Sequence, residues 1–342
     1  MPAPPTPSDT SELPAYDDHA SWHSRAVERG SPAQPHVAFA VVAAIGVALI
    51  LLPIVLGMFP RSAKGERMLA EFGPYMSTAH VDSLQADLQA IEGARQNVLT
   101  LQGSGNAPTG QYSYVDTFVR DYPAIRADMS SMLDTMSANV ANYEQLSSLP
   151  PFSAMPWFFA LPGAALTAIG IIGFRRARRG DRSPVLTAAG VLLGAGLVIA
   201  PLAFGIFEKA PAADPILDDF STVLTHDEVR KVQGYFVTLV GGQGELNSRY
   251  TKAVRDSHPA ADLGGIDELE NRWQPMTSEF AGLIGVMNDN VENFDSVAAL
   301  NDSTTAIGFR AFGQLGWFFV LPGVATVAAL GAGPVRKLVK RR

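Results

Sequence analysis

The stretch Trp157 Phe158 Phe159 Ala160 Leu161 Pro162 Gly163 returns almost letter for letter as Trp317 Phe318 Phe319 Val320 Leu321 Pro322 Gly323. Each copy opens an uncharged apolar run of about 20 residues, the length a helix needs to cross a hydrocarbon core of about 30 Å. A second match lies upstream, where Leu52 to Phe72 aligns without a gap on Ala200 to Phe220, pairing Pro53 with Pro201, Gly57 with Gly205, Phe59 with Phe207 and Phe72 with Phe220. The chain therefore reads as a duplication of one unit made of a span, an extramembrane segment and a second span. Two such units keep the same orientation, as parallel repeats about an axis along the membrane normal.

Four spans are expected, at 36–59, 155–174, 184–207 and 311–333, with Pro53 kinking the first. The first is too long for the apolar part of a signal peptide and has no basic segment before it, so it is expected to be retained. Orientation follows from the short segments. Arg175, Arg176, Arg178, Arg179 and Arg182 lie in the loop 175–183, and Arg336, Lys337, Lys340, Arg341 and Arg342 in the tail 334–342; short basic segments stay on the cytoplasmic side. Both termini are then cytoplasmic, in the plasma membrane, and the long acidic segments 60–154 and 208–310 face outward. Trp157, Phe158, Trp317 and Phe318 fall at the outer interface as aromatic anchors. Residues 1–35, rich in Pro, Ser, Ala and Asp, read as a disordered tail.

The outer segments carry helical periodicity. Ser77 is placed to cap a helix bearing Val81, Leu84, Leu88, Ile91 and Val98, and Thr225 with Glu228 fits a reciprocal capping box ahead of Val229, Val232, Phe236 and Leu239. Second helices are marked by Ile125, Met129, Met132, Met136 and Val140 in one copy, and by Met276, Phe280, Leu283, Met287 and Val291 in the other. Short turns around Met68 to Phe72 and Ile216 to Phe220 precede each hairpin. Neither hairpin can bury its apolar stripe alone, so the two are expected to pair as one bundle of four main helices on a four-span base. Pro60, Pro150, Pro151 and Pro156 at the junctions argue that outer helices do not run straight into the membrane. The fold class is thus an all-α membrane protein.

Composition removes several functions. The chain has no cysteine, which excludes disulfides, thiolate catalysis and cysteine-held metals. Its net charge of −7 at pH 7, with a net basic balance only in short juxtamembrane runs, argues against nucleic acid. Apart from His36 at the edge of the first, the spans carry no ionisable side chain, which weighs against a proton-coupled transporter or ion pump.

Gly163, Thr167 and Gly170 give the second span a small face, Gly190 and Gly194 do so for the third, and Gly323 opens the fourth; such faces serve helix packing within the chain or with a partner. His80 and His226 begin outer helices, but no histidine has a second ligand at helical spacing, so no metal is expected. Asp227, Glu228, Asp267, Glu268 and Glu270 read as a solvated face and the Met129, Met132, Met136 stripe as core. Gly241 Gly242 Gln243 Gly244 lacks the Lys and Ser/Thr of a phosphate loop, and no nucleophile elbow is present. No enzyme activity and no cofactor are expected.

The Ala, Arg and Pro usage, together with the four-span layout and its paired Trp Phe Phe x Leu Pro Gly motifs, resembles uncharacterised envelope membrane proteins of high-GC actinobacteria. Mycobacterial lipid-import complexes of the Mce type carry small accessory membrane subunits. The resemblance therefore implies an accessory subunit or scaffold whose partners are the lipid bilayer, other membrane or envelope proteins, and lipid. It covers layout and carries over no site residue. Two other functions fit the same layout: an extracytoplasmic ligand sensor signalling through a partner, since the loops are too short for an output domain, and a lipid-handling transport component, which needs an apolar groove in the outer bundle.

Overall fold

The computed structural model describes residues 35–339, with side chains of the last helix followed as far as residue 331. The expected N-terminal tail and the end of the basic C-terminal tail lie outside the described residues. Within them every regular element is helical. The helices are α1 (Pro35–Val55), α2 (Met58–Phe72), α3 (Thr78–Gly103), α4 (Ser113–Ser147), α5 (Met155–Arg178), α6 (Pro184–Ala203), α7 (Ile206–Lys209), α8 (Ala213–Phe220), α9 (His226–Glu245), α10 (Thr251–Ser257), α11 (Gly264–Asp302) and α12 (Leu315–Val339). A π-turn, Leu246–Tyr250, joins α9 to α10.

Three helical stretches, His36–Val55, Phe152–Arg178 and Pro184–Ala203, are long and apolar enough to cross a membrane; Leu315–Gly331, in α12, is a shorter apolar stretch. Two of the expected limits differ for one reason. Helices α1 and α6 stop before Gly57 and Gly205, whose φ angles of 59° and 66° place them in the left-handed region that favours glycine, and new helices start one residue later. Phe59 and Phe207 thus belong to α2 and α7. Pro53, read as a kink, lies two residues from the end of α1. The fourth apolar helix begins at Leu315 because Ala311 to Gln314 form a turn.

The apolar helices meet chiefly as two pairs, α1 with α5 and α6 with α12. Both pairs close through glycine. A Cβ on Gly46 would lie 2.6 Å from the Gly163 carbonyl oxygen, and one on Gly323 would lie 2.6 Å from that of Gly194. No side chain fits there, so the backbones touch. The pairs join to form one group of four, with Phe159 of α5 stacked on Phe319 of α12 at 4.2 Å between ring centroids and both rings buried.

The polar part is a bundle of α3, α4, α9 and α11. Its helices pair across the hairpins as well as within them: α3 lies chiefly on α11, and α4 lies on α9 about as extensively as on its hairpin mate α3. Polar contacts follow the exchange. Arg272 of α11 donates to buried Asp87 of α3 at 2.6 Å. Buried Glu245, at the end of α9, accepts the Tyr114 and Val115 amides at the start of α4 at 2.7 and 3.1 Å, a carboxylate at a helix N-terminus. Fully buried Asn139 of α4 donates to Asp219 of α8 at 2.8 Å, and fully buried Asn290 of α11 donates to Glu71 of α2 at 2.6 Å. Each is braced from one turn onward, by Asn142 and Asn293. Ser77 and Thr225 cap α3 and α9 through their hydroxyl oxygens, but the Glu228 carboxylate goes to Lys231.

Gly46→Val is expected to lower the melting temperature of the detergent-solubilised protein by an amount matching about 3 kcal/mol or more, since the added methyls meet backbone atoms. Gly196→Ala, where nothing lies within 4 Å of an added Cβ, is expected to leave melting within a degree or two.

Candidate functional site

A cavity of about 290 Å³ sits at the foot of the polar bundle, where it meets the apolar helices. Helices α2 and α8 form its sides, the last turns of α4 and part of α11 its roof, and the first residues of α5 and α12 its floor. The lining comes in matched sets: Met68, Phe72, Phe152 and Met155 stand opposite Ile216, Phe220, Phe312 and Leu315. The foot helices are amphipathic by necessity, because each must cover the end of a longer helix on one side while facing water on the other.

The polar groups in the lining are already engaged. The Glu66 carboxylate accepts the backbone amides of Phe152 and Ser153, the Tyr143 hydroxyl donates to the Leu69 carbonyl, and Ser147 donates to the Glu144 carbonyl. Burial also raises the Tyr143 hydroxyl above its ordinary pKa, keeping it a neutral donor. What remains facing the hollow is hydrocarbon. A lining of this kind favours apolar ligands, and each methylene moved onto it from water is worth about 0.8 kcal/mol. The volume lies at the small end of the range of ligand pockets, roughly 300–1,000 Å³.

No protein-family model, no curated protein and no solved structure matches this chain.

The small residues singled out in the sequence all lie inside the apolar pairs. Gly163 faces Gly46, Thr167 donates to the Gly163 carbonyl at 2.8 Å, and Gly170 meets the backbone of Ala43. Gly190 meets Leu330, and Gly194 meets Gly323. Trp157 and Trp317 are about half exposed, each packed edge-on against an aromatic ring that follows a left-handed glycine turn, Phe59 of α2 and Phe207 of α7. Phe158 lies against Phe204, and Phe318 against Phe309.

Other expected candidates stay apart. His226 is exposed and His80 packs on Tyr75, with no second ligand; among the described residues no cluster of three metal-ligating side chains occurs. Met129 and Met136 are core residues and Met132 is partly buried against them. Asp227, Glu268 and Glu270 are exposed, and Asp267 pairs with Arg255.

Sequence reasoning missed the cavity, Gly46, Glu245 and the Asp87–Arg272 pair. Only Gly46 left a usable signal, as the residue that aligns on Gly194. It also missed Tyr250, fully buried at the π-turn, its ring edge-on to Tyr112 and its hydroxyl without a protein partner. Burial, helped by Asp116 and Tyr112, pushes this hydroxyl up to about 12. A phenol with a raised folded-state pKa contributes stability below its ordinary value of about 10 and loses it as pH rises toward 12. Tyr250→Phe is expected to melt within about 1 kcal/mol of the parent at pH 7 and to flatten the fall in melting temperature between pH 10 and 12; melts recorded across that range check it.

Proposed function

We propose that this chain is a four-span integral membrane protein built from two tandem units, with its polar bundle outside the cytoplasm, and that it works without catalysis as a lipid-handling accessory component of a cell-envelope complex. The observation that carries the reading is the apolar cavity at the junction of bundle and apolar helices, floored by the first residues of α5 and α12. A hollow at that level can be reached by an acyl chain from the neighbouring leaflet without crossing water.

The tandem unit is supported by matched geometry. Gly57 and Gly205 take the same left-handed turn, Ser77 and Thr225 cap in the same way, Asn139 and Asn290 reach carboxylates on opposite foot helices, and Phe59 and Phe207 meet Trp157 and Trp317. A fourth span in α12 is supported by its place in a pair that matches α1 with α5. Cytoplasmic termini are supported by the arginines at the end of α5, which favour the side that retains positive charge. The layout's resemblance to actinobacterial envelope proteins supports an assignment alongside lipid-import machinery of the Mce type.

Topology is open to direct test because the chain has no native cysteine. In intact cells a membrane-impermeant maleimide is expected to label Ser104→Cys and to leave Arg182→Cys unlabelled until the cells are opened; the reverse pattern would overturn the proposed orientation. For the cavity, protein purified in mild detergent is expected to carry about one lipid or fatty chain by native mass spectrometry. Filling the hollow with Met68→Trp or Ile216→Trp is expected to cut that occupancy by about tenfold, in line with the methylenes displaced.

A further inference from the structure

A second hollow, of about 610 Å³, lies between α1 and α12. Ile45, Leu49 and Leu52 line one side and Leu321 and Ala325 the other, with Gln314 and Trp317 at its upper end. It shares a wall with the basal cavity. Within the turn and first helical residues from Phe309 to Phe318, the side chains of Phe309, Gln314, Trp317 and Phe318 line the cleft, while Phe312 and Leu315 line the cavity.

The opposite flank of the four apolar helices, between α5 and α6, is built differently. There Phe158 packs on Phe204 with ring centroids 5.8 Å apart. The residue aligned on Phe204 is Leu56, so the equivalent ring, Phe318, has no aromatic partner in α1 and lies on Phe309 at 5.6 Å instead. The two flanks therefore differ in how their rings are partnered, and on this one Phe318 and Phe309 both line the cleft.

Building on the reading of the basal cavity as a lipid-chain site, we propose that the cleft between α1 and α12 holds an acyl chain of a bilayer phospholipid and is the route by which the cavity is filled. The lining indicates a chain rather than a partner helix. Close helix approach needs small residues, and no glycine lines the cleft: Gly46 of α1 and Gly323 of α12 lie inside the pairs, on Gly163 and Gly194. Apart from Ala48, Ala325 and Pro322, the cleft presents branched and aromatic surface below its mouth. At its mouth the Gln314 carboxamide and the Trp317 indole are hydrogen-bond donors, a pairing suited to the ester level of a phospholipid, while the hydrocarbon below suits the chain.

The test uses the full chain reconstituted in phosphatidylcholine vesicles containing a phospholipid with a photoreactive diazirine acyl chain. Adducts are mapped by mass spectrometry after timed illumination. The expected result is adducts in α1 and α12 at the cleft, at least fivefold above those on the α5–α6 flank, followed by slower adducts on the foot helix α2. Leu56→Phe, which supplies the ring that Phe204 provides at the aligned position, and Leu52→Trp with Ala325→Phe, which fills the cleft, are each expected to slow the α2 adducts about tenfold without changing their final extent. Equal labelling of both flanks, or α2 labelling at the parental rate in both variants, would overturn the proposal while leaving the cavity reading intact. Cleft adducts with none on α2 in the parent would instead remove the cavity reading and the filling route, leaving the cleft as a surface chain site.

Discussion

Everything in the polar bundle depends on one constraint: a two-helix hairpin with an apolar stripe cannot dry that stripe by itself. The chain meets it by exchange. Helix α3 takes its main partner from the far hairpin, α11, and α4 divides itself between α9 and its own mate α3, so neither hairpin has a complete core alone. The contacts that fix register are charged or polar and also cross over: Arg272 on Asp87, Glu245 on the start of α4, Asn139 on Asp219, Asn290 on Glu71. A buried carboxylate or amide left unpartnered costs more than a lost apolar contact, so these crossings select one arrangement among several that would bury similar area.

The apolar helices obey a different rule. Where lipid is the solvent, burying a leucine gains little over leaving it in contact with acyl chains, so association depends on fit and close approach. Gly46 with Gly163 and Gly194 with Gly323 supply it, bringing backbones into direct contact, and Phe159 on Phe319 ties the two pairs together. The bundle and the base are thus held by separate physics, and the foot helices α2 and α8 are the parts that must serve both. The cavity lies where those two kinds of packing fail to interlock completely.

Features set by local sequence were legible. The apolar runs, the outer helices, the Ser77 and Thr225 caps and the need for hairpin pairing all follow from periodicity and short-range chemistry. The ends of α1 and α6 were not, because a glycine in an apolar run looks like a packing residue until its φ angle is known; Gly57 and Gly205 aligned in the sequence without revealing that both are turns. Glu245 and Asp87 looked like any surface carboxylate, since the partners that bury them lie more than a hundred residues away in the chain. The cavity was the least legible feature, being a property of what Met68, Phe72, Ile216 and Phe220 leave unfilled between them, and no single residue announces a space.

The Phe159–Phe319 stack has a consequence for direction. These rings close the middle of the four-helix group just beneath the cavity floor of Met155 and Leu315. In a bilayer, that makes the hollow a cup and not a pipe: whatever it receives must leave by the side it came from. On the proposed lipid-handling reading, such a vessel exchanges with one leaflet at equilibrium and moves nothing across the membrane unaided, so any vectorial transfer would have to be powered by another protein that empties it.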